Sequence, residues 1–105
     1  MKLDQDVLDE IIRRVVETVH PERIILFGSA ARGEMGPNSD VDLLVVKGGD
    51  FNLRRLTGDI YLKLHGVGQA VDVVMVTPEQ VEQHRDTHWM VIAPALREGR
   101  EVYHS

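Results

Sequence analysis

The sequence contains no cysteine, so disulfides and cysteine-ligated zinc are excluded. No apolar run reaches the roughly 18 residues that a membrane-spanning helix requires. The opening stretch, MKLDQDVLDE, is acidic and lacks the apolar block of a signal peptide. A protein of the reducing cytoplasm is expected. Positive charge is also in short supply: 12 Lys and Arg face 17 Asp and Glu, a formal net charge of -5. Phosphate neutralisation along a nucleic acid needs clustered cations, so no direct nucleic-acid binding is expected. The pairs Arg13-Arg14 and Arg54-Arg55 are too short for a basic stripe and read as solvated helix faces. With 105 residues the chain has room for one small domain. It has little room for a separate lobe that would hold a second substrate, which places any acceptor on another chain.

What is present reads as alternating helices and strands. Val7, Leu8, Ile11, Ile12, Val15, Val16 and Val19 recur at helical spacing, predicting a helix over about 5–19, stopped at His20-Pro21. RIILFGS reads as a buried strand running into a tight turn. Ser29 to Glu34 is expected to form a short helix, followed by the Gly/Pro/Asn-rich loop GEMGPNS. DVDLLVV is a second strand, broken by Gly48-Gly49. Leu53, Leu56, Ile60 and Leu64 mark a second long helix, and AVDVVMV a third strand. Thr77-Pro78-Glu79-Gln80 has the capping-box pattern that opens a helix. A final helical segment from about Met90 to Glu98 contains Pro94, with Gly99 as its cap, and EVY can close as an edge strand. The fold class is α/β (α+β), a mixed sheet of three to four strands packed with helices. Strand alternation makes both sheet faces apolar away from the carboxylates. Either helices cover both faces or a partner covers one, and a homo-oligomer is one way to do so.

Three features carry chemistry. Gly28-Ser29 sits where a strand turns into a helix; glycine allows a sharp bend and close ligand approach, and unpaired N–H groups at a helix start attract phosphate. Ser29 as a plain helix cap is the alternative. Asp40 and Asp42 lie two apart at a strand start and project to one side, roughly 6–7 Å apart. Such a pair repels unless cations intervene, and a hard cation such as Mg²⁺ suits carboxylate and phosphate oxygens together. An Asx turn at Asp40 is the alternative. Asp72 lies within an apolar run, where it needs an arginine partner or the same cations. Arg32, just after the turn, can meet a phosphate or pair with Glu34 or Asp40. Among the histidines only His84 and His88 have a metal-ligand spacing, with no third ligand evident. Trp89 reads as a packing anchor rather than a base-stacking platform, and Tyr61 and Tyr103 as structural.

Gly-Ser, ten residues, Asp, one residue, Asp falls together by chance in roughly one chain in a thousand at ordinary residue usage, so the joint reading outweighs the separate ones. The stretch LFGSAARGEMGPNSDVDLLVV resembles the signature of the minimal nucleotidyltransferase (MNT) family of the DNA polymerase beta superfamily. AVDVVMVTPE is similar to that family's third-carboxylate strand, and ALREGREVYHS to its usual ending. The resemblance implies the nucleotidyltransferase fold. It implies that Gly28 and Ser29 hold the triphosphate of ATP, that Asp40 and Asp42 ligate Mg²⁺, in two ions, and that Asp72 completes the metal site, where it could additionally help take the acceptor proton. It further implies an antitoxin partnered with a HEPN-family toxin, to one of whose tyrosines AMP would be transferred. Two other readings stay open: nucleotidyl transfer to a small molecule, and neutralisation of a partner by binding alone.

Overall fold

The computed structural model describes residues 4–34, 40–84 and 92–105. Most of the Gly/Pro/Asn-rich loop, His88 and Trp89 lie outside the described residues. Helix α1 spans Gln5–Val19. Asp4 caps it, accepting from the Asp6 N–H at 2.9 Å, and the chain leaves it through His20 in the left-handed conformation, φ 49°. Strand β1 is Arg23–Phe27, β2 is Val41–Val46, and α2 is Leu53–Leu64, capped by Asn52 through the Arg55 N–H. Strand β3 is Val71–Val76. Helix α3, Pro78–His84, opens on the expected capping box: Gln80 N donates to Thr77 Oγ1 and Thr77 N to Gln80 Oε1. Helix α4 is Ile92–Glu98, with Pro94 tolerated in its first turn, and β4 is Arg100–His104.

The four strands form one mixed sheet in the order β3-β2-β1-β4. β1 runs antiparallel to both β2 and β4, while β2 and β3 are parallel, with α2 as the crossover between them. The alternation of the strands sends side chains into two cores. Val41, Leu43, Val45, Val73 and Met75 pack with Leu8, Ile11 and Val15 of α1 and Ile60 and Leu64 of α2. Leu44, Val46 and Val76 pack on the other face with Val81 of α3 and Ile92 and Ala95 of α4. Helices therefore cover both sheet faces, the first of the two expected alternatives. Each fully buried aliphatic side chain contributes about 1.5–3 kcal/mol, and α1 alone buries Leu8, Ile11, Val15 and Val19.

The basic pairs behave differently from each other. Arg13 is exposed and pairs with Glu10 and Glu17. Arg14, half-buried, pairs with Glu10 and also donates to the carbonyls of Lys63 and His65 at 3.0 and 3.2 Å, satisfying orphan carbonyls at the end of α2. Arg54 and Arg55 are exposed, as expected. Gly99 is needed for close approach: a Cβ there would collide with the Ala95 carbonyl and lie 2.7 Å from Ile25 Cγ2.

Candidate active site

The sheet register assembles the site. Asp42 on β2 stands directly opposite Asp72 on β3, and Phe27, the last residue of β1, stands opposite Asp42 on its other side. Gly28 follows Phe27 and so lies against Asp42. Two features make glycine obligatory there. Its φ is +73°, and a Cβ would sit 3.3 Å from the Asp42 carboxyl carbon and closer still to Oδ2. Asp40 is exposed and immediately precedes β2.

Asp42 is half-buried and Asp72 exposed. Burial pushes the Asp42 carboxyl above its ordinary pKa, and the neighbouring charges of Asp72 and then Asp40 push it further. Among the described residues no Lys or Arg pairs with any of the three, so no arginine partner for Asp72 is found among them. Nor do three metal-ligating side chains among the described residues already close into a cage.

The turn after β1 differs from the expectation. In place of a helix over Ser29–Glu34 there is a single 3-10 turn, Gly28–Ala30. The physical reason is the pair of positive-φ glycines, Gly28 and Gly33. Between them the Ser29 carbonyl accepts from the N–H groups of both Arg32 and Glu34, at 3.2 and 2.9 Å. A three-residue turn has no appreciable macrodipole, so phosphate affinity would rest on its backbone N–H groups and on the Ser29 side chain. Ser29 does not cap the turn, and its hydroxyl makes no hydrogen bond among the described residues. Arg32 pairs with Glu34, at 3.2 Å, one of the alternatives to a phosphate role, and also with Glu98 of α4, at 3.7 Å.

One site neighbour escaped the sequence reading. The Tyr61 hydroxyl accepts from the Val73 N–H at 2.9 Å and lies 3.3 Å from Asp72 Oδ1. The available signal was its place on α2, one residue off the buried stripe of Ile60 and Leu64, which turns it toward β3.

The mixed sheet thus presents two registered carboxylates, Asp42 and Asp72, with Asp40 just before the strand and the tight turn at Gly28 against Asp42. The nucleotidyltransferase domain family model matches residues 8–101. The chain belongs to that family. A Methanocaldococcus jannaschii protein bearing the name "Putative protein adenylyltransferase" is 32% identical over 83 residues, covering 78% of each chain. In three dimensions the chain is similar to one in a toxin-antitoxin crystal structure with AMP-PNP, with TM-score 0.70 and 18% identity over 92% of this chain and 73% of the other. It is also similar to one in the complex of tri-AMPylated Shewanella oneidensis HEPN toxin with MNT antitoxin, with TM-score 0.66 and 15% identity over 98% and 74%. At these identities the structural likeness speaks for the fold. No helix among the described residues is long and apolar enough to cross a membrane.

Proposed function

We propose that this protein transfers AMP from ATP, with Mg²⁺, to a tyrosine hydroxyl of a separate HEPN-family toxin in the cytoplasm, and silences the toxin by doing so. The observation that carries this reading is the registered pair Asp42 and Asp72 beside Gly28, with no protein cation to neutralise it among the described residues. Asp40 and Asp42 would hold metal together with the triphosphate, and Asp72 would complete the site on the acceptor side. Two bound Mg²⁺ would supply charge stabilisation for the attacking and leaving oxygens and lower the acceptor hydroxyl's pKa.

The chain's own residues do the rest. Gly28 lets the triphosphate approach without a side chain in the way, and Ser29 offers an uncommitted hydroxyl to it. Arg32 is held only by exposed ion pairs, worth about 0–1 kcal/mol each, so it can be surrendered to a phosphate oxygen. Asp72, exposed, accepts the acceptor's proton. The acceptor oxygen then forms its bond to the α-phosphorus as the bond to pyrophosphate breaks, from an approach of about 3–3.5 Å. The toxin–antitoxin complexes among the structural neighbours support the partner class, and the relative's name supports a protein acceptor.

The test mixes both purified proteins with ATP and Mg²⁺ and reads intact masses. The toxin should gain whole AMP units, and Asp40→Asn or Asp42→Asn should prevent the gain. A toxin silenced with no change in mass would show neutralisation by binding alone and refute the proposal.

A further inference from the structure

We propose that Tyr61 is a positioning residue: its hydroxyl, fixed by a backbone N–H, orients Asp72 for its work in the site. This rests on the function proposed above. β3 is an edge strand, so among the described residues one row of its N–H groups has no neighbouring strand. The Val73 N–H is met by Tyr61 Oη at 2.9 Å. A phenol carries a single proton. With a lone pair taken by Val73, that proton is directed to Asp72 Oδ1, 3.3 Å away. The same hydroxyl therefore touches the side chain of Asp72 and the peptide N–H of the residue after it. Asp72 is exposed and pairs with no Lys or Arg among the described residues, so among them the Tyr61 hydroxyl is what selects one rotamer from the several an exposed Asp can adopt. At 3.3 Å the contact is longer than an ordinary O–H···O bond. It steers the carboxylate while leaving the second oxygen open to the site. Tyr61 is 41% exposed, so it stands at the rim of the site rather than in the core.

Partners that orient a metal-ligating carboxylate commonly change metal affinity or activity 10–100-fold when removed. The experiment titrates Mn²⁺, read by electron paramagnetic resonance, into the protein with AMP-PNP. It compares the wild type, Tyr61→Phe, Asp72→Asn and the double variant, with thermal melts to confirm that each folds. Tyr61→Phe keeps the ring and removes both hydrogen bonds. It should weaken Mn²⁺ binding about tenfold and lower kcat for AMP transfer, with KM for ATP within about twofold of wild type. In the Asp72→Asn background it should change nothing further. Wild-type Mn²⁺ affinity in Tyr61→Phe, or an equal loss in both backgrounds, would overturn the positioning role and leave the proposed function standing. A wild type that binds Mn²⁺ no better than Asp72→Asn would instead remove the functional reading, and this inference with it.

Discussion

Substituting Gly28 by alanine separates backbone strain from damage to the site, because Gly33 provides an internal control. Both glycines have positive φ, +73° and +71°. An alanine in either place is forced into the left-handed region at a cost of roughly 1–2 kcal/mol. Around Gly33 a Cβ meets nothing within 4 Å, whereas at Gly28 it meets the Asp42 side chain, with the carboxyl carbon at 3.3 Å, Cβ at 3.5 Å and Oδ2 nearer still. To clear it, the Asp42 carboxylate or the end of β1 must move by roughly 1 Å, and a misplacement of that size costs on the order of 100-fold in rate, or about 2.7 kcal/mol of transition-state stabilisation. Urea denaturation should show both variants destabilised by about 1–2 kcal/mol. Initial rates of AMP transfer to the proposed toxin acceptor, followed with labelled ATP, should fall about 100-fold in Gly28→Ala and stay within about threefold of wild type in Gly33→Ala. If Gly28→Ala proves as active as Gly33→Ala, the close packing of the turn on Asp42 is not part of the catalytic arrangement.

Mg²⁺ with ATP should raise the melting temperature, since ligand at about 100 times its Kd adds roughly 2.7 kcal/mol; an equal shift with ATP and excess chelator would exclude a metal-bridged nucleotide. Because burial and the charges of Asp72 and Asp40 raise the folded pKa of Asp42, folded Asp42 holds its proton more tightly than the unfolded chain does. The stability this contributes is fully present below the ordinary carboxylate range and is lost as pH rises through the raised value. Asp42→Asn should therefore remove that slope and make the protein at least as stable as wild type at neutral pH without ligand, measured as the difference between the two denaturation-versus-pH curves; a variant that unfolds would make Asp42 structural. His20→Gly should stabilise the chain by up to about 1 kcal/mol in urea denaturation, because His20 holds a left-handed cap conformation, φ 49°, that glycine adopts without strain; no gain would mean that the His20 side chain stabilises the helix end by an offsetting amount.

Local signals made most of the elements legible in the sequence. The apolar spacing of Leu8, Ile11, Val15 and Val19 marked α1, and Thr77-Pro78-Glu79-Gln80 marked the start of α3 with both reciprocal hydrogen bonds realised. Asp42 and Asp72 were legible as carboxylates misplaced in apolar strands, but their pairing was not: strand order and register depend on contacts 30 residues apart, which periodicity does not encode. The helix expected over Ser29–Glu34 failed because Gly28 and Gly33 both take positive φ and the Ser29 carbonyl gathers two N–H groups into turns. Tyr61 was missed for a related reason. Its partners are on β3, across the crossover, and a tyrosine flanking a buried stripe looks like packing until the strand beside it is placed. The Arg32–Glu98 pair spans most of the chain and had no local trace.

Asp42 and Asp72 face each other because two parallel strands align, residue against residue, from Val41↔Val71 to Val46↔Val76. Their separation along the polypeptide is irrelevant to that meeting. Side chains alternate with a period of two, so slipping either strand by one residue would turn its carboxylate to the opposite face and bury it among aliphatic side chains. The two apolar cores on either side of the sheet thus act as a proofreader: the alignment that hides the hydrophobic residues is the one that brings the carboxylates together. The crossover segment is correspondingly released from timing their encounter. Its connecting turns, 47–52 and 65–70, can gain or lose residues at an entropic cost of well under about 1 kcal/mol for modest changes, provided the strands keep their alignment. In such a scaffold the meeting of the two carboxylates is set by the sheet, and the connections around it are free to vary in length.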